Sequence, residues 1–204
     1  MLTLYHNPRS PYVRKVMVVL HETGQLDDVS LAPADGTPID PASIPVGHNP
    51  LGKLPALERA DGPTLYDSRV ICRFLAERAS QGPALYPPEP RLWEVLTLEA
   101  TGEGIMDAAI LMRYEAVLRP DDRQFPAWIE GQWAKIARSL DALESRWMGH
   151  LAGSLNIGQI AVGCALGYLD FRHDARRWRE KRDTLAAWYA DFAERPSMQA
   201  TRPE

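Results

Sequence analysis

The fold of this chain is decided by one stretch near its start, residues 5–16, which reads YHNPRSPYVRKV. The apolar run over residues 2–5 leads into it and predicts a buried strand. Ser10 then stands where a helix N-cap is expected, with Pro11 in the first turn and Gly24 where the helix should end. A strand therefore passes through a short loop into a capped helix, so the positive end of the helix dipole and its unpaired N–H groups converge near Ser10.

The rest of the first eighty residues continues the alternation of strand and helix. A second strand is expected near residues 29–32, and residues 33–50 are rich in proline and turn residues, which predicts a loop or one irregular helix. Two further strands flank Asp61-Gly62, a hairpin signal, and a helix follows over 68–79. Its predicted inward-facing residues are Val70, Ile71, Phe74 and Leu75. The predicted order is β-α-β followed by β-β-α.

The second part of the chain has a different pattern. A proline-rich joint over residues 82–90 reads as a linker, and the chain beyond it looks helical. Apolar residues that step by four and three along 129–147 predict an amphipathic helix, which needs a partner to bury its stripe. A helix bundle is the economical architecture for this part.

Composition limits the function classes. The chain has 204 residues, is 45% hydrophobic and 25% charged, and carries a net charge of −4, which argues against nucleic acid as a partner. No apolar run approaches the roughly 18–20 residues of a membrane span, and the N-terminus lacks the pattern of a secretory signal. Cys72 and Cys164 lie far apart, so a reducing cytosol is expected, and the five histidines show no metal-ligand spacing.

The corner at Ser10 suggests the chemistry. Thiol-redox enzymes of the thioredoxin and glutaredoxin kind place Cys-Pro-x-Cys at such a corner, whereas this chain has Ser-Pro-Tyr-Val over residues 10–13. Without either sulfur the protein cannot run a dithiol cycle itself. A hydroxyl stands in place of the attacking sulfur, so we infer that the sulfur arrives with a ligand. The alternative is that Ser10 only caps its helix, as serines commonly do.

Two further segments fit a peptide ligand. Leu54-Pro55 begins a strand, and a cis bond there would expose the backbone N–H and C=O of Leu54 to an extended peptide, with Lys53 beside it for a carboxylate. Asp67 and Ser68 end a strand and open a helix, which suits an α-amino acid head group. Singly, Lys53 reads as a surface lysine and Asp67-Ser68 as an ordinary cap; together with Ser10 they form a specific constellation.

In this combination the chain resembles the cytosolic glutathione transferases, and specifically their serine-type bacterial members. The resemblance includes residues 104–108 and 164–172 of the helical part and runs from Leu2 to about Pro203. It implies a thioredoxin-like α/β domain over residues 1–81, which binds glutathione, and an all-α bundle domain over residues 82–204, which carries the co-substrate pocket. It also implies a cytoplasmic homodimer that acts in detoxification, with glutathione as co-substrate and without a metal.

The resemblance also implies roles for single residues. Ser10 would donate its hydroxyl hydrogen to the sulfur of glutathione and so hold it as a thiolate that attacks an electrophilic small molecule. Leu54, before a cis Pro55, would pair with the cysteinyl backbone, Lys53 with the glycyl carboxylate, and Asp67-Ser68 with the γ-glutamyl end. Glu103 would reach the glutathione of the neighbouring subunit, although a charged residue on an exposed helix is the commoner arrangement.

The electrophile is expected in a cleft between the halves. The candidate residues for that pocket are Met106, Ile110, Arg113 and Tyr114. Their helical spacing fits ordinary core packing equally well, and Arg113 is a candidate partner for an anionic co-substrate.

One segment departs from the family's pattern. Most members carry Ser/Thr-x-x-Asp at the start of the central helix of the bundle, whereas this chain has Asn156 and Gln159 there, with Leu155 and Ile160 placed as a hydrophobic staple. Asn is a good cap and Gln can still reach back, so we expect the change to affect stability more than catalysis.

Two alternatives to a glutathione transferase remain open. The first is a non-catalytic relative that serves as a binding or regulatory protein. The second is another glutathione-dependent enzyme, such as an isomerase, dehalogenase or peroxidase, because these share the glutathione site and differ in the co-substrate pocket.

Overall fold

The structure is a computed structural model that describes residues 2–203. The chain divides into two compact units: the first runs to Pro88 and includes the segment from Pro196 onward, and the second is Glu89–Arg195. The first unit thus includes most of the proline-rich joint, up to Pro88, whereas we expected the boundary between the two domains after residue 81.

The first unit is built on a four-stranded sheet. Its elements are β1 (Leu2–His6), α1 (Pro11–Glu22), β2 (Val29–Pro33), β3 (Ala56–Arg59), β4 (Gly62–Leu65), α2 (Ser68–Arg78) and α8 (Pro196–Ala200). The strand order is β2-β1-β3-β4, with β1 parallel to β2 and antiparallel to β3, and β3 antiparallel to β4. This is the β-α-β, β-β-α arrangement that the sequence predicts, and the thioredoxin-like fold class is confirmed.

The core of the first unit lies between the sheet and its helices. Leu4 and Leu57 on the sheet are fully buried, as are Val16 of α1 and Leu75 of α2. Val70 contradicts the prediction that it faces inward, because its side chain is 47% exposed. The buried face of α2 runs through residues 68, 71, 72 and 75, so Val70 falls outside the buried arc of about 100°.

The C-terminal segment belongs to the first unit through contacts with α1. Arg14 is buried, and its guanidinium donates to the carbonyl oxygen of Met198 at 3.0 Å and to the hydroxyl of Thr201 at 3.4 Å. The hydroxyl of Ser197 donates to Glu22 at 2.5 Å. These contacts connect residues more than 170 positions apart in the chain.

The second unit is helical, as predicted. Its helices are α3 (Leu92–Leu118), α4 (Pro126–Ala142), α5 (Met148–Leu151), α6 (Ile157–His173) and α7 (Asp183–Ala193). Every residue of α6 from Ile157 to Leu169 is buried, so α6 is the central helix of the bundle. The apolar stripe predicted over residues 129–147 is helical throughout, with a π-helical turn at Leu143–Trp147. No helix within residues 2–203 combines the length and the apolar character that crossing a membrane requires.

A complete capping box begins α6. The side chain of Asn156 accepts from the backbone N–H of Gly158 at 3.0 Å and of Gln159 at 3.2 Å, and the Gln159 amide oxygen accepts from the Asn156 N–H at 2.7 Å. The same amide donates to the carbonyl oxygens of Leu151 at 2.7 Å and Gly153 at 3.0 Å. The predicted cap is therefore confirmed, and Gln159 also ties it to the preceding turn.

Candidate functional site

Strand register brings the three predicted segments to one edge of the sheet. Tyr5, near the end of β1, lies opposite Ala56 at the start of β3, and Leu57 of β3 lies opposite Leu65 at the end of β4. The loop that leads into α1, the residues before β3 and the residues after β4 therefore all leave the sheet at the same end. This edge is the candidate site of the first unit.

Ser10 is the N-cap of α1, as the sequence predicts. Its hydroxyl oxygen accepts from the backbone N–H of Val13 at 3.4 Å, and its carbonyl oxygen accepts from the N–H of Arg14 at 3.0 Å. The side chain is half-buried. A hydroxyl carries one hydrogen besides its lone pairs, and among residues 2–203 that hydrogen of Ser10 has no acceptor. The geometry leaves it for a ligand at the positive end of the helix.

The loop before Ser10 is held by a cluster that the sequence did not reveal. The amide oxygen of Asn7 accepts from the backbone N–H of Arg9 at 3.0 Å, and its nitrogen donates to the Asp35 carboxylate at 3.1 Å. Arg9 pairs with the same carboxylate at 2.9 Å. Burial lowers the pKa of His6, which ends β1, so this imidazole is neutral at pH 7. The contacts among Asn7, Arg9 and Asp35 fix the path by which the chain enters α1.

A buried asparagine shapes the turn that carries Lys53 and Leu54. The side chain of Asn49 donates to the carbonyl oxygen of Lys53 at 2.8 Å and accepts from the N–H of Leu51 at 3.0 Å. The Leu54–Pro55 peptide bond is cis, as predicted, while the Lys53 side chain is exposed. Asn49 begins the run Asn-Pro-Leu-Gly over residues 49–52, and its contact with Lys53 is visible only in the structure.

Asp67 caps α2 and lies among positive charges. Its carboxylate accepts from the backbone N–H and from the guanidinium of Arg69, each at 2.9 Å. Burial raises the pKa of Asp67, but the hydrogen bonds from Arg69 and the positive charges of Arg69 and Lys15 outweigh it, so the pKa lies below its usual value. Lys15 is fully buried on α1, and Ser68 is buried at the first position of α2. The site thus carries an ionised carboxylate beside a helix start, which can take an ammonium and a carboxylate together.

The other predicted residues lie on α3 of the second unit. Glu103 and Met106 are buried, whereas Ile110, Arg113 and Tyr114 are half-buried. Arg113 and Tyr114 lie three and four positions after Ile110, so both are its neighbours on one side of the helix. Within residues 2–203 no group of three or more His, Cys, Asp or Glu side chains is placed to hold a metal ion.

Comparisons with known proteins cover both units. The family model "Glutathione S-transferase, N-terminal domain" matches residues 9–78, and "Glutathione S-transferase, C-terminal domain" matches residues 126–191. The "Uncharacterized GST-like protein YibF" of Escherichia coli (strain K12) is 34% identical over 197 residues, which cover 95% of each chain.

Solved structures show the same fold. A glutathione transferase family member from Pseudomonas fluorescens Pf-5, with bound glutathione, is 48% identical and has a TM-score of 0.97 over 100% of both chains. A second structure from that organism, with bound S-(propanoic acid)-glutathione, is also 48% identical, with a TM-score of 0.93 over 100% of both chains. Because the two family models match more than half of the chain and these similarities span both units, the chain belongs to the glutathione S-transferase family.

Proposed function

We propose that the chain is a glutathione transferase in which Ser10 donates its hydroxyl hydrogen to the sulfur of glutathione and stabilises it as a thiolate. The observation that carries this proposal is the N-cap geometry of Ser10. Its oxygen already accepts from the N–H of Val13, so its own hydrogen is left for a ligand. Ser10 acts here as a hydrogen-bond donor and not as a nucleophile.

The required shift in pKa is modest. A cysteine thiol with a pKa near 8.5 is only about 3% thiolate at pH 7. A pKa lowered by about two units gives roughly 75% thiolate and corresponds to about 2.7 kcal/mol. A neutral hydroxyl is sufficient because the dipole and N–H groups at the start of α1 share the stabilisation.

The other residues of the sheet edge bind the rest of the tripeptide in this proposal. The backbone of Leu54, before Pro55, pairs with the cysteinyl residue, and Lys53 pairs with the glycyl carboxylate. Asp67 takes the γ-glutamyl ammonium, while the start of α2 at Ser68 takes the adjoining carboxylate. The ionised state of Asp67 supports this assignment, since burial alone would favour its neutral form.

The second unit supplies the electrophile's binding surface, for which Met106, Ile110, Arg113 and Tyr114 are the candidates. The Pseudomonas fluorescens relative with bound S-(propanoic acid)-glutathione supports transferase chemistry here, because such a thioether is the kind of product that conjugation gives. We further propose a homodimer. Glu103, which the resemblance would assign to the neighbouring subunit's glutathione, is left out of this proposal, because its side chain is buried within its own chain and does not extend to a neighbour. Light scattering that gives the mass of one chain would contradict the dimer.

The test is a conjugation assay on the full-length chain and its Ser10→Ala variant with a panel of electrophiles and hydroperoxides. We expect Ser10→Ala to lower kcat by about 10- to 100-fold, because the loss of one hydrogen bond to a charged group corresponds to a rate factor of that size. The KM for glutathione should change little. Unchanged turnover would refute the role of Ser10. Glutathione binding without turnover on any compound would favour the non-catalytic alternative, and turnover on hydroperoxides alone would favour a peroxidase.

A further inference from the structure

A short turn places Ser10 at the start of α1. The carbonyl oxygen of Asn7 accepts from the backbone N–H of Ser10 at 3.0 Å, so residues 7–10 form a β-turn, with Pro8 at its second position. The helix cap itself holds Ser10 less firmly, because its hydroxyl oxygen lies 3.4 Å from the backbone nitrogen of Val13, at the far end of the hydrogen-bonding range. The position of the Ser10 hydroxyl therefore depends on what holds the turn.

Side chains join this turn to the loop that follows β2. The Asn7 side chain donates to the carbonyl oxygen of Ala34 at 3.3 Å and to the Asp35 carboxylate at 3.1 Å. Its amide oxygen accepts from the backbone N–H of Arg9 at 3.0 Å and from Nε of the same arginine at 3.3 Å. The guanidinium of Arg9 also donates to the other oxygen of Asp35 at 2.9 Å. Asn7, Arg9 and Asp35 therefore form a closed ring of hydrogen bonds around the turn.

Asp35 is held in place from outside this ring. The Ser43 hydroxyl accepts from the backbone N–H of Asp35 at 2.8 Å, and the Asp35 carbonyl oxygen accepts from the Ser43 N–H at 3.0 Å. The carboxylate oxygen that Asn7 contacts also accepts from the N–H of Gly36 at 3.0 Å. The loop after β2 thus fixes the Asp35 carboxylate, and the carboxylate in turn fixes the two side chains of the turn.

The exposure of the ring indicates placement and not stability as its role. The side chains of Arg9 and Asp35 are 50% and 66% exposed, and exposed ion pairs contribute little to the free energy of unfolding. The ring still restricts the turn, because several hydrogen bonds must break together before residues 7–10 can move. Its loss should therefore displace Ser10 and leave the stability of the protein nearly unchanged.

We propose that Asp35 is a positioning residue for Ser10: through Asn7 and Arg9 it holds the turn that directs the Ser10 hydroxyl at the sulfur of glutathione. This inference rests on the proposed transferase function and adds a residue that acts through Ser10. A displaced hydroxyl makes a longer hydrogen bond to the thiolate, so it stabilises the negative charge less and raises the pKa of the sulfur. Less of the bound glutathione is then ready to react.

The experiment replaces Asp35 by asparagine in the full-length protein. Asparagine has the same shape, but its amide nitrogen would face either the guanidinium of Arg9 or the donors of Asn7 and Gly36. In a conjugation assay we expect Asp35→Asn to lower kcat about 3- to 10-fold, with little change in the KM for glutathione or in the Tm. In an ultraviolet titration of bound glutathione, the sulfur pKa should rise by about half a unit to one unit.

The sign of this shift separates placement from a simple charge effect. Loss of a negative charge alone would lower the pKa of a nearby thiol, whereas loss of the Ser10 hydrogen bond raises it. A double-mutant cycle with Ser10→Ala tests the route, because Asp35→Asn should change the sulfur pKa no further once the hydroxyl is gone. The matched control is Asp40→Asn in the same loop, where the carboxylate accepts from the N–H of Ala42 at 2.9 Å; every readout should stay at its wild-type value.

Three results would overturn the proposal: an unchanged sulfur pKa in Asp35→Asn, an equal shift with and without the Ser10 hydroxyl, or a loss of turnover matched by a large fall in Tm. If the wild type neither binds glutathione nor turns over any electrophile, the transferase function fails instead. The placement of the turn is then measured by hydrogen exchange at the amides of Arg9 and Ser10. Faster exchange in Asp35→Asn than in Asp40→Asn supports the role of Asp35, and equal exchange overturns it.

Discussion

Replacing Gln159 by glutamate tests the capping network of the central helix. The side chain of Gln159 is buried, and its oxygen accepts from the Asn156 N–H at 2.7 Å. Its nitrogen donates to the carbonyl oxygens of Leu151 at 2.7 Å and Gly153 at 3.0 Å. An ionised glutamate has the same length but only accepts hydrogen bonds. Gln159→Glu therefore keeps one contact and turns the other two into a negative oxygen facing carbonyl oxygens.

The cost follows from the two lost donors. Each buried hydrogen bond that is left unmade costs about 1–3 kcal/mol, so the ionised variant should lose about 2–6 kcal/mol of unfolding free energy. The attraction of the carboxylate to the start of α6 offsets about 0.5–2 kcal/mol of this loss. A protonated carboxyl recovers one donor, so folding should raise the pKa of the introduced carboxyl above its unfolded value of about 4.3.

The sign of the pH dependence follows from that raised pKa. Below the unfolded pKa the carboxyl is protonated in both states, and the variant keeps its full remaining stability. As the pH rises from about 4.3 toward the folded pKa, the variant should lose about 1.4 kcal/mol per pH unit relative to the wild type. The loss is complete once the pH exceeds the folded pKa.

Urea unfolding followed by tryptophan fluorescence measures this difference at about pH 5 and about pH 8. All six tryptophans lie between residues 93 and 188, so the signal reports on the second unit. The control is Gln132→Glu, where Lys135 donates to the buried amide oxygen at 3.2 Å and would keep a carboxylate ionised. A Gln159→Glu variant as stable as the wild type at pH 8, or equally destabilised at both pH values, would refute the reasoning.

Two other predictions concern helix packing and ligand binding. Gly102→Ala should cost about 1–3 kcal/mol and lower the Tm, because its Cβ would lie 2.6 Å from the backbone carbon of Ala161. The control is Gly104→Ala, whose Cβ would have nothing within 4 Å and which should raise the unfolding free energy by about 1 kcal/mol. Similar changes in Tm for the two variants would contradict the close approach of Gly102 to Ala161. Asp67→Asn should raise the KM for glutathione about tenfold. Arg69 holds the pKa of Asp67 below its usual value, so the carboxylate stays ionised in mildly acidic solution. The part of the wild-type affinity for glutathione that depends on this carboxylate should therefore persist down to about pH 4 and fall only below that pH. A loss of this affinity near pH 6 would contradict the assignment.

The features that the sequence predicts well depend on short-range interactions. The caps at Ser10, at Asp67 and over Asn156–Gln159 each join residues two or three positions apart, so the pattern alone identifies the contact. The hairpin at Asp61-Gly62 is equally local, although β4 begins at Gly62, earlier than expected. The resemblance to a family then assigned chemistry to these local features.

The features that the sequence missed depend on residues far apart in the chain. Nothing in the pattern around Asn7 points to Asp35, because the parallel pairing of β1 and β2 decides which loops meet. The prediction for Val70 is wrong because apolar spacing gives the width of a helix face but not its edge. The residues around Arg113 could not be predicted either, because the end of α6 that packs beside this part of α3 lies more than fifty residues further along the chain.

The protonation of bound glutathione measures the central claim most directly. Thiolate absorbance in the ultraviolet, followed through a pH titration of the complex, gives the pKa of the ligand's sulfur in the wild type and in Ser10→Ala. We expect a pKa of about 6.5 in the wild type and a value at least one unit higher in the variant, which retains the contribution of the helix start. A sulfur that titrates near 8.5 in the wild-type complex, or at the same pH in both proteins, would contradict the account.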